Sequence, residues 1–313
     1  MRGVWRIDEM AGFAEPCVLA VGIFDGLHLG HRKVLECAKD TARASCALAG
    51  VLTFYPHPSR VIPMGRPPVD MIYPPELRAA HFLEVGISAV FFKRFDRGFA
   101  DLPPEGFADF LREKFPNLRG IVTGENFLFG KGAAGDSALL RKICRENGWE
   151  YRAVGGLFLD GERVSSTRLR RCLSEGDMPE YARLSGENYA AEGAVEGGKR
   201  LGREIGFPTL NLPWEPECRP PYGVYAARVF KGGRAFEGVA NYGVAPSAGA
   251  LERPVVEANL FETPDFGTGA KIRAEFLKFL RPEKKFESLD ALKAQIAEDR
   301  AAARAFFAKS GNA

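Results

Sequence analysis

The chain has 313 residues, 46% of them apolar and 27% charged, and a net charge of +3. That length favours two domains over one, and the composition is that of a folded globular chain, which excludes collagen-like or disordered classes. The small net charge gives no electrostatic footing for nucleic acid, no apolar run nears the roughly 20 residues that span a bilayer, and six scattered cysteines without a CxxC pair exclude a zinc site or disulfide framework. The start, MRGVWRIDEM, lacks an apolar leader, so the expectation is a cytoplasmic chain with reduced thiols.

In chain order, CVLAVGIF (17–24) reads as a buried strand that passes through a glycine turn into a helix reaching about Ala44. ALAGVLTF (47–54) is a second strand, stopped by Pro56-His57-Pro58. Helix over 75–85, strand over 88–95, helix over 103–115, strand over 120–123, helix over 137–147, strand over 151–154 and helix over 166–173 follow. This alternation predicts a doubly wound, mainly parallel sheet, whose ligands bind beyond the carboxyl ends of its strands. After about Ser185 the glycines thicken and strand candidates follow one another at 223–230, 235–242, 255–262 and 271–280. Strands without intervening helices predict an antiparallel barrel or sandwich. A last helix starts at Ser288 as N-cap, with Leu289, Leu292, Ile296 and Phe306 on its apolar side.

Two of the chain's four histidines stand together in VGIFDGLHLGH (21–31). If the helix begins at about His28, His28 and His31 share one face of its first turn, beside the free N–H groups of its positive end. Gly26 and Gly30 then leave room for a bulky nucleotide. The plain alternative is a tight turn carrying two surface histidines. Three more segments bear on the choice. His57 sits between two prolines, GENFLFGKGAAGD (124–136) offers Asn126 and two phenylalanines in a glycine-rich loop, and VSSTRLR (164–170) opens a helix with three hydroxyls and two arginines, Arg168 and Arg170. Each has a structural reading as turn, core or solvated helix face. Together, hydroxyls, N–H groups and a guanidinium suit a polyphosphate.

The pattern G-x-F-D-G-x-H-x-G-H resembles the HxGH nucleotidyltransferase superfamily. With the other three segments in this order, the first half is similar to the FMN adenylyltransferase module of the prokaryotic bifunctional riboflavin kinase/FAD synthetases. The resemblance implies ATP held by Gly22, Phe24, Asp25, Gly26, His28 and His31 and by Ser165, Ser166, Thr167 and Arg168. It implies FMN near His57, Pro58, Asn126, Phe127 and Phe129, with His28, His31 and Asn126 acting on the reacting phosphates. This chain departs from many relatives in carrying Asn126 for Asp, Leu128 for Arg and Ile23 for Asn.

The second half has its own motif, GAVEGGKRLGREIGFPTLNL (193–212), in which Thr209 and Asn211 alternate with Leu210 and Leu212. As a strand this places both polar side chains on one face, an oxygen pair suited to Mg²⁺. The alternative is a glycine- and proline-rich hairpin with its polar side in water. The segment resembles the riboflavin kinase module, a small barrel with a C-terminal helix. That resemblance implies ATP and flavin contacts from Gly198, Lys199, Gly202, Thr209, Asn211 and Glu257, metal ligation by Thr209 and Asn211, and Glu257 as the base for the riboflavin 5′-hydroxyl. NYGVAPS (241–247) and DFGTG (265–269) depart from the usual pattern of the module.

The sequence therefore predicts an α/β protein: an N-terminal doubly wound HxGH nucleotidyltransferase domain over 1–186, then an antiparallel β-barrel domain with a terminal helix over 187–313. The expected activity is bifunctional: riboflavin to FMN, then FMN to FAD and pyrophosphate, with ATP as co-substrate and Mg²⁺ as cofactor. The alternatives are an adenylyltransferase with a drifted kinase module, and a non-catalytic flavin or nucleotide sensor. The expected partners are small molecules, with neither nucleic acid nor membrane, and a weak homo-oligomer is the one protein partnership considered.

Overall fold

A computed structural model describes residues 2–63, 65, 67–197, 205–245 and 253–310. They divide into two compact units, Met1–Ser166 and Thr167–Ala313.

The first unit is built on a six-stranded sheet in the order β1-β4-β3-β2-β5-β6. Its strands are β1 (Gly3–Arg6), β2 (Cys17–Val21), β3 (Leu48–Tyr55), β4 (Ala89–Arg94), β5 (Leu118–Gly124) and β6 (Glu150–Val154). Every pairing is parallel. The crossovers are α1 (Leu29–Ala44), α2 (Pro75–Glu84), the short α3 (Arg97–Ala100) with α4 (Pro104–Lys114), and α5 (Ser137–Glu146). β2 is buried along its whole length, as expected of a central parallel strand covered on both faces.

The period of two along β2 decides what lies on each face. Val18 and Ala20 pack with Val34, Leu35 and Ala38 of α1 and Phe82 of α2. Cys17, Leu19 and Val21 pack with Phe107 and Leu111 of α4 and Leu140 and Cys144 of α5. From β2 the chain winds outward one way through β3 and β4, then returns to place β5 on the other side of β2. The order therefore reverses between β2 and β5, which is where doubly wound sheets open a crevice for ligands.

β1 lies outside the elements read from sequence. It is only four residues long, and tertiary packing supplies its reason: Trp5 stacks on Phe91 with ring centroids 5.4 Å apart. The first-unit boundaries differ most at the site. The strand expected to reach residue 24 ends at Val21, because Phe24 turns to φ 54° and the chain leaves the sheet.

The second unit begins with α6 (Ser166–Glu175), which starts at the junction, and α7 (Met178–Ser185). α7 is absent from the sequence reading; Asp177 caps it, accepting from Glu180 N–H. Six antiparallel strands follow in the sheet order β10-β13-β12-β11-β14-β9. They are β9 (Tyr189–Ala194), β10 (Leu210–Pro213), β11 (Gly223–Lys231), β12 (Arg234–Ala245), β13 (Arg253–Leu260) and β14 (Lys271–Pro282). Among the described residues a bridge, Glu196 N–H donating to Asn211 O at 2.8 Å, joins the chain beyond β9 to β10, so the sheet nearly closes into a barrel. The first unit also holds a small β7–β8 hairpin (Phe158–Leu159 with Glu162–Arg163).

The terminal helix α8 (Leu289–Ser310) is capped as expected, Ala291 N–H donating to Ser288 Oγ at 3.1 Å. Its buried face needs correction. Leu289 is 53% exposed, whereas Asp299, Ala303 and Phe307 are buried and Leu292, Ile296 and Phe306 half-buried. Ala303 and Phe307 pack on Val224, Ala226, Val239 and Leu277. The carboxylate on this face was hidden from a hydrophobic pattern because its charge is matched in three dimensions. Arg281 at the end of β14 grips Asp299 with two bonds of 2.8 and 2.7 Å. Removing one partner of such a buried pair leaves the other charge uncompensated. Asp299→Ala is therefore expected to destabilise the second unit by about 3 kcal/mol, read as a lowered unfolding transition, while Leu289→Ala leaves it unchanged.

Candidate active sites in the two units

The first site lies beyond the carboxyl ends of β2, β3 and β5, at the reversal of strand order. His28 is the N-cap of α1 and not part of its first turn, as the sequence reading had it. Its Nδ1 accepts from His31 N–H at 3.2 Å, satisfying one of the orphan donors of the helix start. With Nδ1 accepting, the proton of the neutral ring sits on Nε2, which becomes its donor. The His31 ring stacks on that of His28, centroids 3.5 Å apart and 17° from parallel. Gly30 serves this stack: a Cβ there would come 3.1 Å from the His28 ring. Its missing side chain accommodates a histidine, where the sequence suggested room for nucleotide.

Burial, helped by the charge of Arg163, pushes His28 down from 6.5 to about 4. The ring is therefore a neutral donor near pH 7. The unfolded chain binds a proton here below about 6.5 and the folded chain only below about 4. This contribution to stability is thus complete above the higher value and is lost as pH falls toward the lower one. Histidine-resolved NMR should show His28 without titration from about pH 8 to about pH 5; a midpoint near its ordinary value would contradict the placement.

Other residues assigned to this site split between its floor and its rim. Phe24 and Asp25, both expected to contact ATP, are buried and lie in the floor. The Phe24 ring packs edge-on to His31 and to Phe82. The Asp25 carboxylate accepts from Ile72 N–H at 3.0 Å and Tyr73 N–H at 3.3 Å. Gly22 and Gly26 form the turn between, Gly26 at φ 76°. Ser166 Oγ donates to Asp25 O at 2.7 Å, tying the SST segment to that turn, with Ser165 directly before it. Asn126 is exposed just past β5. His57 caps the short turn beginning at Pro58, its Nδ1 accepting from Ser59 N–H at 3.1 Å.

Phe129, expected near the flavin, is 7% exposed and lies in the core against Phe107, with Phe127 half-buried and stacked beside it. Leu128 projects outward at 57% exposure. In the second unit, Thr167 is exposed, and Arg168 is buried with Nη2 donating to Glu180 Oε1 at 2.6 Å. That ion pair within the helical pair engages the guanidinium expected to meet ATP.

Three positions carry weight that no motif announced. Arg163, in the β7–β8 hairpin, bears electrostatically on His28 and lies 3.4 Å from Glu125 Oε1. Lys33 Nζ reaches Gly155 O at 3.4 Å. Arg78 of α2 is buried and donates to Ile23 O at 2.8 Å and Phe54 O at 3.3 Å, holding the ends of β2 and β3 together. A hairpin arginine and a helical arginine have no periodic signature, so only the adjacency of Arg163 to VSST could have drawn attention.

The second site is a row across three strands of the barrel. Register sets Asn211 of β10 opposite Glu257 of β13, and Glu257 opposite Asn241 of β12. Leu210 and Leu212 are buried while Thr209, just before β10, is exposed and Asn211 half-buried. Burial first, and the nearby carboxylate of Glu283 second, raise the proton affinity of Glu257. Hydroxyl, amide and carboxylate oxygens are the hard donors that Mg²⁺ takes, which fits the expected ion. The DFGTG departure is an ordered turn: Asp265 pairs with Arg234 at 2.9 Å and the Phe266 ring meets Phe236. Gly198, Lys199, Gly202 and Ser247 lie outside the described residues.

Family models match both units, FAD synthetase over residues 11–168 and riboflavin kinase over residues 185–307. The bifunctional riboflavin kinase/FMN adenylyltransferase of Escherichia coli strain K12 is 34% identical over 98% of this chain and 97% of its own. The chain belongs to the bifunctional riboflavin kinase/FMN adenylyltransferase family. Another member, from Bacillus subtilis strain 168, is 33% identical over 93% of this chain and 92% of its own. A crystal structure named as a macrolide-efflux protein from Streptococcus pneumoniae superposes with a TM-score of 0.83 at 25% identity, covering 97% of this chain and 98% of that one. Among the described residues no helix is long and apolar enough to cross a membrane. The matches thus cover both units, and the relatives align over nearly the whole chain.

Proposed function

We propose that this family member carries both activities of the family. The second unit transfers the γ-phosphoryl group of ATP to the riboflavin 5′-hydroxyl, giving FMN. The first transfers the adenylyl group of a second ATP to FMN, giving FAD and pyrophosphate. The observation that carries this reading is that each family match covers its own polar constellation, one at the strand-order reversal and one across the barrel row. We place the module boundary at 186/187, in keeping with a kinase match that begins at residue 185.

In adenylyl transfer no covalent intermediate is required; the site positions two phosphates and offsets developing charge. The Nε2–H of neutral His28, the stacked His31 and the exposed Asn126 amide supply that role at the head of α1. Ser165, Ser166 and Thr167 line the entrance for phosphate oxygens, while Asp25, Phe24 and Arg78 hold the turn rigid beneath. His57, Pro58 and Phe127 stand where the flavin approaches. In the kinase unit Thr209 and Asn211 would hold Mg²⁺, which would supply neutralisation of charge on the ATP phosphates. Glu257 accepts the hydroxyl proton, a task helped by its raised proton affinity. Gly198, Lys199 and Gly202 bind ATP in this reading.

Supplying FMN, ATP and Mg²⁺ and following pyrophosphate isolates the first unit's step. Release matched by FAD is the expected result; no release, with FMN recovered unchanged, would leave a binding protein in its place.

A further inference from the structure

Thr209, the first of the two expected metal ligands, stands just outside the sheet. β10 begins one residue later, and its pairing with β13 starts at Leu210 opposite Ala258. The residue before Thr209 is Pro208, which has no N–H to give to a ladder. The approach to Thr209 is held instead by a side chain of β13: Asn259 Nδ2 donates to Pro208 O at 2.8 Å.

Asn259 is 4% exposed, and a buried amide needs partners for both of its ends. The second end meets Arg300 of α8, whose Nη1 donates to Asn259 Oδ1 and, at 3.0 Å, to Leu260 O. Arginine carries donors only, so it fixes which way the amide points, oxygen to Arg300 and nitrogen to Pro208. The same guanidinium lies over two rings, 5.1 Å from the centroid of Phe261 and 5.8 Å from that of Phe207. Phe207 directly precedes Pro208. One arginine of the terminal helix therefore reaches the segment before Thr209 twice, at a ring directly and at a carbonyl through Asn259. The helix is itself fixed to the barrel by the Asp299–Arg281 pair and by Ala303 and Phe307.

We propose that Arg300 and Asn259 are positioning residues of the kinase site, through which the terminal helix holds Phe207 and Pro208 and so places Thr209 for Mg²⁺ and the ATP phosphates. This rests on the reading of Thr209 and Asn211 as ligands of that metal. Neither positioning residue touches a reacting atom. Their part is to keep the segment in its binding geometry before nucleotide arrives. Without them, some of the free energy of nucleotide binding goes into ordering the segment, and affinity falls.

The test measures riboflavin phosphorylation by the full chain at varied ATP with Mg²⁺ in excess. Arg300→Met removes the donors and keeps an apolar stem. Asn259→Asp keeps an acceptor for Arg300 but has no donor for Pro208 O. In both variants the KM for ATP is expected to rise by about ten- to hundredfold, the usual cost of removing a group that orients a metal ligand, with kcat little changed. A merely structural role would lower kcat through loss of folded protein and leave KM in place. Amide exchange of the nucleotide-free chain supplies a readout apart from activity. Leu210–Leu212 should exchange faster in either variant while β11 and β12 keep the wild-type rate, and equal exchange at Leu210–Leu212 would contradict the brace. A wild-type KM in Asn259→Asp overturns the proposal, and that variant decides alone if Arg300→Met fails to fold. Thr209→Ala separates the two claims. A wild-type KM for ATP there overturns the reading of Thr209 as a ligand, whereas a raised KM there beside unmoved values in Arg300→Met and Asn259→Asp overturns only the role given to Arg300 and Asn259.

Discussion

His31→Ala is expected to lower FAD formation from supplied FMN by about a hundredfold or more, with riboflavin phosphorylation intact. The size follows from what the stack does. His31 lies with its ring 3.5 Å from that of His28, and its backbone N–H fixes the acceptor side of the His28 ring. Truncation to alanine keeps that N–H and therefore the cap, so α1 should stay folded. What disappears is one imidazole donor and the wall that holds the other in place. Interactions aimed at charge that develops in the transition state carry costs of this order when removed. His28→Ala should cost at least as much, since it removes the neutral donor and the cap together. A readout of adenylyl transfer beside phosphorylation separates loss of chemistry from loss of fold, and an unchanged rate of FAD formation in His31→Ala would refute the placement of the first site.

Glu257→Gln should remove riboflavin phosphorylation by roughly a hundred- to ten-thousandfold and spare FAD formation from supplied FMN. Glutamine keeps the shape and polarity of the side chain in its row between Asn211 and Asn241, so the loss reports on proton acceptance. Burial gives Glu257 the environment of a base, since it disfavours the charged form. A variant with near wild-type phosphorylation would show that the base lies elsewhere, and would move attention away from the barrel row.

The two sheets were legible because their signals are local. The alternation of apolar runs with helical periods reads directly as a parallel sheet, and the dense strands after about Ser185 as a barrel. Both histidines, the Thr-Asn alternation and Glu257 came from compact motifs. The remainder depends on contacts distant in sequence. Asp25 reads as a ligand in a glycine turn, yet its carboxylate is taken by Ile72 and Tyr73 N–H groups. Phe129 reads as a flavin platform, yet Phe107 draws it into the core. Asp299 interrupts an apolar face for a charge pair with Arg281 that only folding creates. Arg78 spans from Ile23 to Phe54, a brace with no pattern of its own. Side-chain identity gave the chemistry available, and tertiary register decided which side chains reach it.

The central claim is that one chain performs both steps, and one incubation addresses it. The protein is mixed with riboflavin, ATP and Mg²⁺, and the flavins are resolved by chromatography over time. The account predicts FMN appearing first and FAD following it. Riboflavin left unconverted, while FAD still forms from supplied FMN, would contradict it.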